Sequence, residues 1–145
     1  MPITIKHPKT EKEFENYYEL RWRVLREPWN QPKGSEKDEL EDKSFHIMAC
    51  DDNNKVIGVG RLHFNNKEAQ IRYMAVAAEY EKQGVGTLIL EALEKNAIEN
   101  NCKAIVLHAR ENAVGFYQKK DYELLEMSHL LFDSIQHYRM QKQLP

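Results

Sequence analysis

Two glycines, Gly84 and Gly86, stand where an apolar, strand-like segment gives way to a long helix-like segment. Because glycine lacks a side chain, backbone N–H groups beside it can turn toward an anion. The helix that follows adds its own unpaired N–H groups and the positive end of its dipole. This segment is therefore predicted to bind the phosphate groups of a ligand.

The spacing of the glycines excludes two common phosphate-binding motifs. A nucleotide P-loop requires a lysine between its last glycine and a Ser or Thr, but Thr87 follows Gly86 directly. A dinucleotide-binding fingerprint requires a third glycine, but this chain has Ile89 at that position. The remaining interpretation is a diphosphate held mainly by backbone amides, with no metal implied.

Two segments, taken together and in order, resemble the GNAT acyltransferase superfamily. The first is a strand that ends Met74-Ala75-Val76 and is followed by the turn Glu81 to Gly86, similar to the family's Gln/Arg-x-x-Gly-x-Gly/Ala motif. The second is residues 116–123, FYQKKDYE, which is similar to the family's hydrophobic-Tyr-x-Lys-x-Gly-Phe segment. The resemblance covers roughly residues 45–140, and residues 20–25 also look like the ElaA-like branch of the superfamily.

The resemblance implies an N-acetyltransferase that takes its acyl group from acetyl-CoA. The strand end would hold the pantetheine arm as an added strand, and the turn with the start of the helix would hold the diphosphate. The chain departs from the family at Glu81, where Gln or Arg is usual, at Arg110, where Asn is frequent, and at Asp121, where Gly is usual. The cofactor-binding residues expected are Met74, Ala75, Val76, Lys82, Gln83, Gly84, Val85, Gly86, Thr87 and Arg110.

Tyr117 occupies the motif position of the family's catalytic tyrosine. By resemblance it would act as a general acid that protonates the leaving thiolate, whose basicity is similar to that of a phenol. The alternative is that Tyr117, next to Phe116, only packs in the core. The general base stays open between His63, His108, Glu79 and no dedicated base, since histidine titrates near neutral pH.

The acceptor site is expected near the end of the first predicted helix. Arginine there could bind a carboxylate or phosphate of the substrate, and tryptophan could bind a cation or an aromatic group. The alternative is a solvated face on which the arginines pair with Glu19 and Glu27. The candidate residues are Trp22, Arg23, Arg26 and Trp29.

The composition is that of one globular domain, residues 1–145, with 41% hydrophobic residues to form a core. A formal net charge of −2 gives no general attraction to nucleic acid or acidic membranes. No apolar run approaches the roughly 20 residues that span a bilayer. Two cysteines without metal-ligand spacing favour a reducing, cytoplasmic setting.

Hydrophobic periodicity predicts a mixed α/β sheet with helices on both faces. This order agrees with the GNAT-like acyl-CoA N-acyltransferase fold that the resemblance implies. An antiparallel meander is followed by a parallel strand–helix–strand unit and a C-terminal hairpin. Thr10 and Glu13 predict a capping box at the first helix, and the polar stretch 31–43 is predicted to be a mobile loop. The predicted meander strands are 44–50, 56–64 and 69–76, the crossover helix is 84–100, the central strand is 104–107, a short helix is 112–119, and the hairpin is 122–129 with 137–141.

Two functions remain open at this point. The leading one is acetyl-CoA-dependent N-acetyl transfer to a primary amine of a small molecule or peptide, by direct attack on the thioester. The alternative is a non-catalytic acyl-CoA-binding or regulatory module of the same fold. A homodimer is also left open, because the terminal hairpin could pair with the sheet edge of another chain.

Overall fold

Residues 2–145 are described by a computed structural model and form a seven-stranded sheet with three α-helices. The strands are β1 (Thr4–Lys6), β2 (Phe45–Cys50), β3 (Val56–Asn65), β4 (Glu68–Val76), β5 (Ala104–Arg110), β6 (Glu123–Leu131) and β7 (Ile135–Gln143). The helices are α1 (Glu11–Leu25), α2 (Val85–Glu99) and α3 (Val114–Gln118).

The strand order in the sheet is β1-β2-β3-β4-β5-β7-β6. Neighbouring strands are antiparallel except β4 and β5, which are parallel and connected through α2. The mixed α/β fold predicted from the sequence is confirmed. Because β7 lies between β5 and β6, the closing hairpin joins the sheet through its second strand.

Helix α1 begins at the predicted capping box. Thr10 Oγ1 accepts a hydrogen bond from the Glu13 N–H at 3.1 Å, and Glu13 Oε1 accepts one from the Thr10 N–H at 3.0 Å. These bonds satisfy donors that a helix start would otherwise leave unpaired. The helix ends at Leu25, before Pro28, which has no N–H to continue it.

Helices α1 and α2 cover opposite faces of the sheet, as predicted. Along β2, Ile47 belongs to the core under α2 and the next residue, Met48, belongs to the core under α1. Glycines in β3 let α2 approach closely, since a Cβ built on Gly60 would lie 2.8 Å from Ile89 Cγ2 and 3.0 Å from Leu93 Cδ1.

A bulge in β4 changes which side chains face α1. Val59 pairs with Ala75 and Arg61 pairs with Arg72, so two residues of β4 oppose one residue of β3. Tyr73 in this bulge has a φ of +58°, a left-handed conformation that is rare for an aromatic residue.

Strands β4 and β5 separate where the bulge begins. Their parallel pairing ends where Ile71 pairs with Leu107. Residues 72–76 of β4 and the last residues of β5 therefore border a gap in the sheet. Strand β5 extends to Arg110, beyond its predicted end, and the predicted helix 112–119 is a short 3₁₀ turn followed by α3.

The loop between α1 and β2, residues 31–43, was predicted to be mobile, and the structure shows that ion pairs connect it to the sheet. Asp38 Oδ1 lies 2.6 Å from Arg61 Nη1. Glu41 Oε2 lies 2.9 Å from Arg21 Nη1 and 2.8 Å from Arg61 Nη1. Both arginine side chains are fully buried, so the acidic residues of the loop are their counter-ions.

None of the helices described between residues 2 and 145 is both long enough and apolar enough to cross a membrane.

Candidate active site

The gap between β4 and β5 leaves backbone groups of β4 without a strand partner. The Ala77 N–H donates to the Ile57 carbonyl of β3 at 2.9 Å. Because backbone groups alternate in direction along a strand, those of Ala75 face β3 as well. The backbone groups of Met74 and Val76 therefore face the gap, which is the arrangement that an extended ligand needs to bind as an added strand.

The N–H groups in the first turn of α2 have no acceptor within the helix. Its N-cap, Gly84, has a φ of +86°, and Lys82 has a φ of +63°, so two left-handed residues shape the turn. Among the described residues, no side chain caps this helix, and its first turn contains no acidic residue. The segment Lys82 to Thr87 thus offers unpaired donors at the positive end of a helix dipole.

Gly86 brings the start of α2 close to the gap. A Cβ built on Gly86 would lie 3.5 Å from Phe116 Cζ and 3.7 Å from Met74 Cε. These are ordinary van der Waals distances. Three segments singled out in the sequence, namely the end of β4, the glycine turn and α3, therefore meet at one place.

Tyr117 is buried on α3, and its hydroxyl points toward β4. The hydroxyl donates to Met74 Sδ at 3.5 Å, and the ring packs edge-on against Tyr122 with 5.6 Å between ring centroids. Burial raises the pKa of Tyr117 above its ordinary value. The phenol is therefore protonated at neutral pH, as a general acid must be.

A cavity of about 230 Å³ lies beside Tyr117, between β4, β5, the end of α1 and the β6–β7 hairpin. Within the described part of the chain, its lining contains neither aspartate nor glutamate. Its apolar walls include Leu25, Ile71, Leu107, Ala109, Ala113 and Leu131, and its basic side chains are Arg26, Arg72, Arg110, His108, His129 and His137.

Arg110 lies on the α1 side of this cavity. Its Nη2 donates to the Leu25 carbonyl at 3.2 Å, and its guanidinium lies 4.6 Å from the ring centroid of Trp29. The motif position grouped Arg110 with the cofactor-binding residues, but the structure places it with the acceptor candidates Arg26 and Trp29. Burial and the nearby Arg26 lower the pKa of Arg110 to about 10, so it still carries a full charge at neutral pH.

Of the four acceptor candidates, only Arg26 lines the cavity, and Trp22, Arg23 and Trp29 do not. Trp22 is half-buried, and its Nε1 donates to the Gln31 carbonyl at 3.0 Å. This contact fixes the start of the loop after α1 rather than contributing to the cavity.

Three histidines from three strands meet at the cavity. The ring centroids of His108 and His129 are 5.5 Å apart, and those of His129 and His137 are 4.2 Å apart. Burial lowers the pKa of all three rings, that of His137 to about 4. The rings are therefore neutral at neutral pH. Among residues 2–145, no group of His, Cys, Asp and Glu side chains is arranged to hold a metal ion.

The other two base candidates lie outside the cavity lining. His63 Nδ1 is 3.2 Å from Arg61 Nη2, and burial followed by the charge of Arg61 lowers its pKa. Glu79 lies in the turn between β4 and α2, where its carbonyl accepts a hydrogen bond from Gln83 Nε2 at 3.2 Å.

Tyr73 also lines the cavity, although the sequence did not indicate a role for it. Its ring centroid lies 4.3 Å from the guanidinium carbon of Arg21, 4.5 Å from that of Arg72, 5.0 Å from that of Arg61 and 5.6 Å from that of Arg26. Such cation–π contacts are favourable where water is excluded. Simple strand alternation gave no signal for them, because the bulge turns Tyr73 toward α1.

Comparisons with known proteins agree with this geometry. The family model described as Acetyltransferase (GNAT) family matches residues 14–122. The uncharacterized N-acetyltransferase YjcF of Bacillus subtilis (strain 168) is 32% identical over 134 residues, which are 92% of this chain and 95% of YjcF. An aminoglycoside 6'-N-acetyltransferase complexed with coenzyme A has a TM-score of 0.81 at 14% identity, covering 100% of this chain and 98% of that one. Escherichia coli ElaA has a TM-score of 0.78 at 14% identity, covering 97% and 98%.

The family match extends over most of the chain and includes both motifs that carried the resemblance. The protein therefore belongs to the acetyltransferase (GNAT) family and is an N-acetyltransferase by that membership. The two solved structures, at 14% identity, show that the fold is shared.

Proposed function

We propose that this protein transfers an acetyl group from acetyl-CoA to a primary amine of a small molecule or peptide. The amine would attack the thioester directly. The proposal rests on one observation: the protonated Tyr117 hydroxyl lies 3.5 Å from Met74 Sδ, beside the gap where backbone groups of β4 have no strand partner. A solved structure of the same fold that is complexed with coenzyme A supports this choice of donor.

In the proposed binding mode, the diphosphate of acetyl-CoA lies at the N–H groups of Lys82 to Thr87. The pantetheine amides pair with Met74 and Val76 in the gap. Ala75 lies between these two residues, and its own backbone groups face β3. We propose that Ala75 holds Met74 and Val76 in position and does not itself pair with the pantetheine arm. We assign Arg110 to the acceptor side instead of the cofactor side, because it contacts Leu25 and Trp29.

In the proposed reaction, the neutral amine nitrogen attacks the thioester carbonyl carbon, a C–N bond forms, and the C–S bond breaks. Tyr117 gives its proton to the leaving thiolate. The proton of the attacking amine passes to His108 or to solvent. His108 suits this role because burial lowers its pKa and leaves the ring neutral, and its Nδ1 lies 3.0 Å from Ser128 Oγ.

Substitution of Tyr117→Phe tests the proposal, because it removes the proton donor and keeps the ring. We expect kcat to fall by about 10²- to 10⁴-fold, with the affinity for coenzyme A, measured by titration calorimetry, unchanged. Tyr122→Phe is the matched control, because the Tyr122 hydroxyl donates to Glu94 Oε2 at 2.8 Å and does not line the cavity. Its kcat should equal that of the wild type.

Two results would contradict the proposal in different ways. Full activity in the Tyr117→Phe variant would mean that Tyr117 only packs in the core. Binding of acetyl-CoA without acetylation of any amine would favour the non-catalytic acyl-CoA-binding module.

We further propose that residues 1–145 act as one domain in the cytoplasm and that two copies pair through β6. Cys50 and Cys102 are buried free thiols, which suits a reducing compartment.

Strand β6 is the outer strand of the sheet, and Met127 and Leu130 on it are more than half exposed. An exposed apolar edge strand is a surface that a second chain can cover, and light scattering after size exclusion distinguishes a dimer from a monomer.

A further inference from the structure

The cavity beside Tyr117 carries positive charge that the described chain does not balance. Three arginines line it, and no carboxylate among residues 2–145 does. Arg72 is half-exposed and has its own partner, since its Nη1 lies 2.8 Å from Asp38 Oδ2. The ion pairs formed by the described residues include neither Arg26 nor Arg110.

Arg26 and Arg110 converge on a single carbonyl group. Arg26 Nη1 donates to the Leu25 oxygen at 3.0 Å, and Arg110 Nη2 donates to the same oxygen at 3.2 Å. Arg26 is only 7% exposed, and its Nε donates to the Ser35 carbonyl at 3.0 Å. A carbonyl oxygen carries only a partial negative charge, so two like charges meet here without a counter-ion from the described part of the chain.

The other two buried arginines, Arg21 and Arg61, have carboxylate partners. Arg61 lies 2.6 Å from Asp38 and 2.8 Å from Glu41, and Arg21 lies 2.9 Å from Glu41. Among residues 2–145, the buried arginines away from the cavity are thus paired with carboxylates. The difference indicates that the missing negative charge at the cavity comes from a ligand.

We propose that the acceptor amine carries an anionic group, either a carboxylate or a phosphate, which binds between Arg26 and Arg110. This inference rests on the proposed acetyltransferase function, since the bound anion would hold the acceptor while its amine reaches the gap beside Tyr117. Planar guanidinium groups match the oxygen geometry of both anions. The diphosphate of acetyl-CoA is not the occupant, because the start of α2 packs on the opposite face of the sheet from α1.

Matched amines that differ in charge test the proposal directly. Glycine is compared with glycinamide for the carboxylate, and O-phosphoethanolamine is compared with ethanolamine for the phosphate. We expect kcat/KM for the anionic member of at least one pair, calculated on the concentration of neutral amine because the two members differ in amine pKa, to be about tenfold or more higher. The pair that shows the preference identifies the anion. Equal rates within both pairs would overturn the proposal and leave the acetyltransferase activity intact.

Arginine variants separate binding of the anion from a structural role. Arg110→Gln should lower kcat/KM for the preferred anionic amine by about tenfold or more, mainly through KM, and should leave neutral amines unaffected. Arg110→Lys keeps the charge and should recover part of the loss. Arg23→Gln is the matched control, because Arg23 lies on the neighbouring helix α1 but outside the cavity lining. An equal loss for charged and neutral amines would contradict the proposal.

Trp29 provides a measurement that does not require acetyl transfer. Its ring lies under the Arg110 guanidinium, so an anion between the two arginines should change its fluorescence. Inorganic phosphate and acetate are titrated into the protein, with sodium chloride at equal ionic strength as the control. A saturable change that is lost in Arg110→Gln and in Trp29→Phe, but kept in Trp22→Phe, supports the proposal.

The two hypotheses fail in distinguishable ways. If acetyl-CoA does not bind and no amine is acetylated, the proposed function fails, whether or not phosphate or acetate changes the fluorescence of Trp29. If acetyl-CoA binds but none of the four amines is acetylated, the fluorescence titration decides the question, and the absence of a saturable change overturns the anion site.

Discussion

The two faces of the central sheet are packed with different chemistry, although alternate residues of the same strands supply both. Under α2, Ile89 and Leu93 lie directly on the backbone of Gly60, and the contacts are hydrocarbon. Under α1, the fully buried Arg21 and Arg61 are surrounded by carboxylates and aromatic rings. The cavity opens on the charged side.

The two kinds of packing contribute differently to stability and to the geometry of the fold. Burial of hydrocarbon is non-directional and contributes roughly 25 cal/mol for each Å² removed from water. A buried ion pair contributes little net stability, because desolvation offsets the attraction, but its hydrogen bonds are directional. We infer that the α2 face mainly holds the sheet together, while the ion pairs of the α1 face fix residues 31–43 to Arg21 and Arg61.

The largest effect is expected from removing a carboxylate from the charged face. Glu41→Ala would leave Arg21 and Arg61 with too little negative charge, and we expect the free energy of unfolding to fall by about 3–5 kcal/mol. Urea denaturation measures this loss. A loss no greater than that of an ordinary surface substitution would mean that water replaces the carboxylate and that the cluster does not fix the loop.

A smaller effect is expected from crowding the hydrocarbon face. Gly60→Ala would place a Cβ 2.8 Å from Ile89 Cγ2, and this branched side chain cannot swing away without changing its rotamer. We expect a loss of about 1–3 kcal/mol, reduced somewhat because alanine also restricts the unfolded chain. Ile89→Val in the Gly60→Ala background keeps the contacting methyl group and should not restore stability, whereas Ile89→Ala should relieve the contact.

The smallest effect is a pH dependence confined to the charged face. Burial alone would raise the pKa of Asp38, but hydrogen bonds from Arg61 and from the Leu40 amide outweigh it and lower the pKa from 3.8 to about 2. A lowered pKa in the folded state adds stability above pH 3.8, and this stability is lost as the pH falls toward 2. The difference in unfolding free energy between the wild type and Asp38→Asn should therefore shrink by about 1–2 kcal/mol over that range.

Leu93→Ala provides the comparison from the other face. Its destabilisation arises from a lost hydrocarbon contact and should stay constant over the same pH range. If both variants showed the same pH dependence, the two faces would not differ electrostatically in the way described.

Features governed by local sequence were predicted well. Helix α2 was predicted over 84–100 and occupies Val85–Glu99, and the capping box of α1 forms as expected. Asp121, which stands where the family usually has Gly, has a φ of +71°, in the left-handed region that Gly and Asp tolerate best. Each of these depends on residues within one or two turns of each other, so the sequence contains the required information.

Features that depend on which strands meet could not be predicted. The bulge at Tyr73 requires the register between β3 and β4, and His129 and His137 reach the cavity only because β7 lies beside β5. A motif gave the position of Arg110 along the chain but not the direction of its side chain. The polar residues of 31–43 resembled a mobile loop because their buried partners lie elsewhere in the sequence.

The short parallel pairing between β4 and β5 has a consequence for the ligand. Only four residue pairs, from Glu68 with Ala104 to Ile71 with Leu107, join the two strands. The sheet thus consists of two halves, β1–β4 and β5–β7, which are bonded at one end and separate at the other. A donor bound in the gap as proposed would supply the hydrogen bonds that the separated end lacks. Each catalytic cycle would then complete the sheet when acetyl-CoA binds and reopen it when coenzyme A leaves.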